Sequence, residues 1–240
     1  MAQTPKRSKH AVVIYTRYER FWHWSQAALI FFLAFTGFNL HGSIKLLHFG
    51  TAVKLHTFAA IALILLWIFT TFWNFTTGNW KQFLPFFQIR TTDGKWSSAF
   101  LVFFIRLFAV MRYYAYGILK GEDHPHKKTL RRKQNALQGL AYLTFMIVIG
   151  PALWATGIIY LLFDLWNGVP NAGLYLTIIA FLHTAAAFAM IAFAVIHVYM
   201  TTTGKTPTHY IKSMITGVED VELSEVEKAY LETEYPERMG

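Results

Sequence analysis

The sequence predicts an all-α integral membrane protein: a four-helix transmembrane bundle with an additional amphipathic helix at the cytoplasmic interface. Of its 240 residues, 55% are hydrophobic and 18% aromatic, while only 15% are charged, against about 25% in an ordinary soluble domain. The mean hydropathy is +0.34, so polar side chains are too few to coat a soluble globule of 27.7 kDa. The absence of cysteine excludes disulfides and thiolate-bound metal sites.

Four segments are each apolar over roughly the 20 residues that a helix needs to cross a hydrocarbon core about 30 Å thick. They are residues 22–40, 55–74, 137–163 and 174–199. Gly150 and Pro151 lie inside the third segment and predict a kink, because proline has no N–H to donate to the preceding turn. We therefore expect a transmembrane domain over residues 1–218 and an acidic cytoplasmic tail over residues 219–240.

A fifth apolar stretch, at about residues 97–119, is expected to lie in the membrane interface. It carries Arg106 and Arg112 in its interior, and each would cost roughly 2.5 to 3.5 kcal/mol at the centre of a spanning helix. An interfacial amphipathic helix lets both guanidinium groups reach the lipid headgroups. The alternative is a fifth span in which both arginines are paired inside the bundle.

The distribution of lysine and arginine predicts the orientation in the membrane. Five precede the first span, and eleven lie between the second and third spans, including the cluster from Lys127 to Lys133. The two other loops carry only Lys45 and Lys54, so both termini and the central loop are expected in the cytoplasm. The formal net charge of +9 combines these basic segments with the acidic tail. It therefore reflects membrane topology rather than nucleic-acid binding.

Four histidines within the predicted spans are candidates for chemistry, because ionisable residues are costly there. His183 and His197 share the last span and are 14 residues apart, so they face one side of the helix about 21 Å apart. His56 enters the second span at the outer depth of His183, and His23 enters the first span at the inner depth of His197. The expected pairs are therefore His56 with His183 and His23 with His197.

Two imidazoles on opposite faces of a macrocycle form the ligand set of a six-coordinate b-type haem, which suits electron transfer. Gly37, 14 residues after His23, would let a haem approach the helix backbone. Any one of the four histidines could instead be an ordinary hydrogen-bonding residue. Zinc is disfavoured, because two pairs about 20 Å apart do not form a tetrahedral site. The six other histidines are expected to be solvated.

Several motifs around these histidines resemble those of a known family. They are Arg20-Phe-Trp-His23-Trp, Thr36-Gly37-Phe38, His56, Thr77-Gly-Asn-Trp80, His183, His197-Val-Tyr199 and Ser213-Met-Ile-Thr-Gly217. Together they resemble the dihaem cytochrome b subunits of membrane-bound nickel–iron hydrogenases, formate dehydrogenases and thiosulfate reductases. The resemblance implies two haem b groups, ligated by His56 with His183 and by His23 with His197.

The resemblance also implies partners and a location. Electrons would pass between an extracytoplasmic redox subunit, an iron–sulfur or multihaem protein, and quinone or menaquinone in the lipid bilayer. The membrane would be the inner membrane of a bacterium or archaeon, crossed several times. The segment containing Asn135 and Gln138 is similar to the family's quinone segment, which lies beside the inner haem and its ligand His197. Asn135 could equally be the N-cap of the third span.

Two alternatives to an electron-transfer subunit stay open at this point. A free-standing dihaem cytochrome could act as a quinone-linked oxidoreductase, for example on superoxide. A haem-free chain could anchor a peripheral enzyme in the membrane. The long basic loop and the acidic tail favour a subunit, and the tail itself is expected to be a solvated helix or a contact for a neighbouring subunit.

Overall fold

The computed structural model describes residues 7–78, 80, 96–126, 134–204 and 206–239. The basic cluster from Lys127 to Lys133, and the central-loop residues 81–95, lie outside the described residues. The elements, in chain order, are β1 (Arg7–Val13), α1 (Arg17–Leu40), α2 (Phe49–Thr76), α3 (Trp96–Ala115), α4 (Ala136–Thr144), α5 (Gly150–Leu161), α6 (Phe163–Trp166), α7 (Ala172–Thr201), α8 (His209–Thr216), β2 (Val218–Ser224) and α9 (Glu225–Glu234). Short 3-10 turns follow α3 and α9, at Gly117–Lys120 and Pro236–Arg238.

The described residues form two compact units. One consists of residues 22–77 and 141–200 and holds most of the apolar helices. The other combines the described residues of 1–21, 78–140 and 201–240. It includes the strands, α3, α8 and α9.

Three helices in the described part of the chain are long and apolar enough to cross a membrane: Phe49–Thr76, Ala136–Leu161 and Ala172–Thr201. They correspond to the second, third and fourth predicted spans. The first predicted span forms most of α1, but α1 is not among the three. Its 24 residues are diluted by polar side chains, among them His23, Gln26 and Asn39. These helices identify an all-α membrane protein, to which the strands β1 and β2 add a small sheet.

The third apolar helix contains a π-helical turn where the sequence predicts a kink. Residues Phe145–Ile149 form this turn between α4 and α5, and the Gly150 N–H donates to the carbonyl of Phe145, five residues earlier. Pro151 lies at the start of α5 and has no N–H to give to the carbonyl of Ile147. A widened turn absorbs that missing hydrogen bond, as π turns within α-helices commonly do.

A two-stranded antiparallel sheet joins the two ends of the described chain. β1 pairs with β2 in a register that places Arg7 opposite Ser224 and Val13 opposite Val218. Val12, Val221 and Leu223 are 0–3% exposed and pack with Leu231 of α9 in a small apolar core. The tail over residues 219–240 was expected to be a solvated helix or a contact for a neighbouring subunit, and the helix was wrong for residues 219–224. There Glu219, Val221 and Leu223 alternate on one buried face, which is the period of a strand. The predicted boundary at 218/219 lies within this strand.

Helix α3 is apolar on two faces. Phe103, Leu107 and Val110 form a buried stripe at helical spacing, while Phe108 is 64% exposed. Arg112 forms an ion pair with Glu122, and both side chains are solvent-accessible. Arg112 is thus paired, as the fifth-span alternative required, but its partner lies just beyond the 3-10 turn that follows α3.

Candidate cofactor-binding site

The four histidines of the predicted spans form two pairs within the unit of residues 22–77 and 141–200. The ring centroids of His56 and His183 are 6.4 Å apart, with an interplanar angle of 72°. Those of His23 and His197 are 6.1 Å apart at 52°. Each pair takes its two rings from two different helices, which is how helical bundles build cofactor sites.

The His56 ring is held by the neighbouring helix α1. Its Nδ1 lies 2.8 Å from the Thr36 hydroxyl oxygen, and the Leu33 backbone lies within hydrogen-bonding reach of the ring. Thr36 is completely buried, and its hydroxyl oxygen lies 3.0 Å from the Phe32 carbonyl oxygen and 3.1 Å from that of Leu33. Thr36 can therefore donate to its own helix while accepting from His56.

The His183 ring is held in the same way by α5. Its Nδ1 lies 3.0 Å from the Thr156 hydroxyl and 3.1 Å from the Leu153 carbonyl oxygen. A carbonyl oxygen only accepts, so Nδ1 of His183 carries the donated proton. Thr36 can donate to the carbonyls of its own helix, which leaves its hydroxyl oxygen to accept from Nδ1 of His56. In both rings Nε2 is then the unprotonated nitrogen, which is the form that ligates a metal.

The Nδ1 atoms of the second pair have fewer and longer hydrogen bonds among the described residues than those of the first pair. The Tyr142 hydroxyl lies 3.3 Å from Nδ1 of His197, and the Phe193 ring stacks on His197 at a centroid distance of 5.9 Å. Nδ1 of His23 is buried and has no hydrogen-bond partner in the described part of the chain. The two pairs therefore share their spacing and differ in their surroundings.

Glycines lie beside both rings of the first pair. A Cβ at Gly37 would lie 3.7 Å from Cε1 of His56, and one at Gly157 only 3.2 Å from Cε1 of His183. Without a side chain at these positions, each helix backbone can approach the imidazole closely. The contact expected between Gly37 and a haem remains a prediction, since the neighbour that the structure gives it is the His56 ring.

The spacing of both pairs fits one iron atom between two imidazoles. With metal–nitrogen bonds of about 2 Å and roughly 1 Å from each nitrogen to its ring centroid, two rings on opposite sides of a metal have centroids about 6 Å apart. The observed distances are 6.1 and 6.4 Å. Within the described residues, no group of three or more His, Asp or Glu side chains forms a metal site.

Asn135 and Gln138 form a capping box at the start of α4. The Gln138 N–H donates to Oδ1 of Asn135 at 2.8 Å, and the Asn135 N–H donates to Oε1 of Gln138 at 3.1 Å. The capping alternative for Asn135 is therefore present in the structure. The side-chain oxygens of Asn135 and Gln138 both accept hydrogen bonds from backbone N–H groups at the start of α4. The NH₂ groups of the two side chains take no part in the capping box.

A polar cluster surrounds Asn135. Its side chain is hydrogen-bonded to Tyr114, whose hydroxyl lies 3.2 Å from Nε2 of His124. Burial, with a contribution from Tyr210, raises the pKa of Tyr114 to about 12, so this hydroxyl keeps its proton at neutral pH. His124 and His209 were expected to be solvated, but both are half-buried, and His209 contacts the buried Glu219 at 3.3 Å.

Thr36, Thr156 and Tyr142 contact the candidate ligands but were not predicted. The signal for the threonines was a Thr-Gly dipeptide inside two predicted spans, at Thr36-Gly37 and Thr156-Gly157. In each case the threonine holds Nδ1 and the glycine lies against the same ring. Tyr142 carried no comparable signal, because aromatic residues are frequent throughout this chain.

A helical membrane protein with paired intramembrane imidazoles and no cysteine has the features of a b-type cytochrome, whose haem is bound without covalent attachment. The chain belongs to the prokaryotic cytochrome b561 family, whose model matches residues 14–217. Members bind haem b and transfer electrons in prokaryotic membranes, and the match confirms the cytochrome b family indicated by the motifs. One relative is the Escherichia coli (strain K12) protein named "Putative cytochrome YdhU". It is 30% identical over 214 residues, covering 86% of this chain and 74% of that protein.

Proposed function

We propose that this cytochrome is the membrane-anchoring electron-transfer subunit of a larger complex. It holds two b haems and carries electrons between an extracytoplasmic redox partner, an iron–sulfur or multihaem protein, and quinone or menaquinone in the bilayer. His56 and His183 ligate one haem, and His23 and His197 ligate the other. Haem supplies a one-electron carrier when bound, and two protein ligands leave no open coordination position for oxygen chemistry.

The observation that carries this proposal is the match between two imidazole pairs and the spacing that one iron atom requires. His183 and His197 are 14 residues apart on α7, a rise of about 21 Å, so the two haems would lie towards opposite membrane surfaces. That arrangement suits transfer across the bilayer rather than chemistry at a single site.

The proposed architecture is a four-helix transmembrane bundle. Three of its spans are the most apolar helices, and α1 is the fourth. Both termini and the central loop are cytoplasmic, as the distribution of lysine and arginine indicates. α3 is the interfacial helix, since its exposed apolar face suits the acyl-chain boundary and Arg112 is paired outside any span. Residues 1–218 carry the dihaem function, and residues 219–240 form the cytoplasmic tail.

The direct test is the haem content of the full chain, purified in detergent. A pyridine haemochrome assay is expected to give two haem b per polypeptide. One haem per chain would contradict the two-pair assignment, and none would leave only a membrane anchor. Purification from native membranes is expected to recover a redox subunit with this chain. A monomer that reduces quinone without a partner would instead identify a free-standing oxidoreductase.

The quinone site is proposed at Asn135 and Gln138. A quinone carbonyl accepts hydrogen bonds and gains negative charge as it is reduced, so amide N–H donors stabilise the product. The Asn135 side chain is buried and linked to Tyr114 and His124. Reduction to the quinol takes two electrons and two protons, and these two side chains are proton-bearing groups beside the site.

Substitution of Asn135 separates quinone binding from helix capping. Asn135→Ser keeps an N-cap oxygen and removes the amide, whereas Asn135→Ala removes both, at a cost of about 1 kcal/mol in stability. We expect both variants to slow oxidation of the reduced haems by a quinone analogue about tenfold or more, as loss of a hydrogen bond to a developing anion would. The measurement is stopped-flow spectroscopy at unchanged haem content.

The serine variant decides the outcome. If Asn135→Ser reacts like the unmodified chain while Asn135→Ala is impaired, the residue is only a cap. The tail substitution Lys228→Ala, which removes a surface ion pair with Glu232, is the control and is expected to leave the rate unchanged.

A further inference from the structure

We propose that Thr36 and Thr156 lower the reduction potential of the haem held by His56 and His183 below that of the haem held by His23 and His197, so that electrons pass downhill from the first to the second. The inference rests on the proposed dihaem function and adds the two residues that set the difference in potential. Thr36 and Thr156 act through the imidazoles and are therefore positioning residues.

The four Nδ1 atoms differ in their hydrogen-bond partners. Both rings of the first pair have a hydroxyl oxygen within 3.0 Å of Nδ1, and His183 also has the Leu153 carbonyl as a second acceptor. In the second pair, His197 has one hydroxyl at 3.3 Å. Nδ1 of His23 is buried with no hydrogen-bond partner in the part of the chain that the structure describes.

The direction of these hydrogen bonds follows from the acceptors. The Leu153 carbonyl can only accept, so His183 donates from Nδ1. The threonine hydroxyls have carbonyls of their own helices to donate to, so they too can accept from the rings. Tyr142 has a single contact of this kind to His197, and its O–H can point towards the ring instead of accepting from it.

Donation from Nδ1 affects the reduction potential of the haem through the basicity of Nε2. An imidazole that donates its N–H to an acceptor becomes a more basic ligand at Nε2. A more basic axial ligand stabilises the ferric state over the ferrous state and so lowers the reduction potential. Both ligands of the first pair have an acceptor at Nδ1, and among the described residues His23 of the second pair has none.

The consequence is a directed one-electron step. His56 and His183 would hold the haem that gives up one electron and is oxidised, and His23 and His197 would hold the haem that receives it and is reduced. No bond breaks, and no proton moves at the imidazoles. With the proposed topology, electrons travel from the outer surface to the inner one and reach the quinone side.

The test uses Thr156→Val, which keeps the shape of the side chain and removes the hydroxyl. In the full, haem-loaded chain, potentiometry followed by optical spectra is expected to show one haem shifted to higher potential and the other unchanged. The shifted haem should be the one that His183→Ala removes. Thr36→Val is expected to shift the same haem in the same direction, and the double variant to shift it further.

Conservative and remote threonine variants are the controls. Thr156→Ser restores a hydroxyl and is expected to return the potential to that of the unmodified chain. Thr177→Val removes a hydroxyl that donates to the Gly173 carbonyl on α7 and should shift neither haem. Equal shifts of both haems, no shift, or a shift to lower potential in Thr156→Val would overturn the inference. Fewer than two haems in the unmodified chain would instead refute the proposed function.

Discussion

His183→Ala is expected to reduce the haem content from two per chain to one. The substitution removes one of the two ligands at the His56–His183 pair and leaves that iron with a single protein ligand. His23 and His197 are untouched, and their rings are 6.1 Å apart, so the second haem keeps both ligands. The pyridine haemochrome assay gives the stoichiometry, and a reduced-minus-oxidised spectrum shows which absorption component remains.

A neighbouring histidine provides the matched control. His41 lies 3.4 Å from the hydroxyl of Thr184, the residue after His183, but it belongs to neither pair. His41→Ala is therefore expected to keep two haems. Loss of both haems in His183→Ala, with helical circular dichroism and monodispersity retained, would contradict independent binding by the two pairs.

Gly217→Ala is expected to destabilise the unit that contains the sheet. Gly217 ends α8 with φ of +86°, in the left-handed region. A Cβ there would lie 2.7 Å from the carbonyl oxygen of Tyr15, which is too close for any contact. The Gly217 carbonyl also accepts hydrogen bonds from the backbone N–H groups of Ile14 and Tyr15. The clash would therefore disturb the segment between β1 and α1. We expect a loss of about 3 kcal/mol or more, combining backbone strain and displacement.

Gly121 separates strain from clash. It has φ of +69° with nothing within 4 Å of an added Cβ, so Gly121→Ala carries the backbone penalty alone, about 1 kcal/mol. Hydrogen exchange at the β1 amides is the suitable measurement, since it reports the opening of the sheet. Equal protection of the β1 amides from exchange in Gly217→Ala and Gly121→Ala would show that the clash with the Tyr15 carbonyl oxygen does not destabilise the sheet.

The apolar helices were accessible from sequence because length and hydropathy are local properties. Three of the four predicted spans coincide with helices that can cross a membrane, and Pro151 marked the irregular turn. The pairs His56–His183 and His23–His197 could be anticipated because helical periodicity fixes the side of α7 on which two residues lie. Their role as haem ligands remains a prediction.

The remaining features depend on non-local geometry. The partner of Nδ1 in His183 is Thr156, and their contact depends on how α5 is rotated against α7, which no local pattern encodes. The pairing of β1 with β2 joins segments more than 200 residues apart, Arg7 with Ser224. Their alternation is short and interrupted by charged side chains, so the tail resembled a solvated helix.

The sheet between β1 and β2 constrains how often the chain can cross the bilayer. Strands that exchange backbone hydrogen bonds must lie on the same side of the membrane, because an open strand edge is not tolerated in hydrocarbon. A chain whose two ends meet on one side crosses an even number of times. Three crossings by the most apolar helices would break this parity, and so would five crossings that included α3. The proposed architecture, with four crossings that include the polar, histidine-bearing α1, satisfies it.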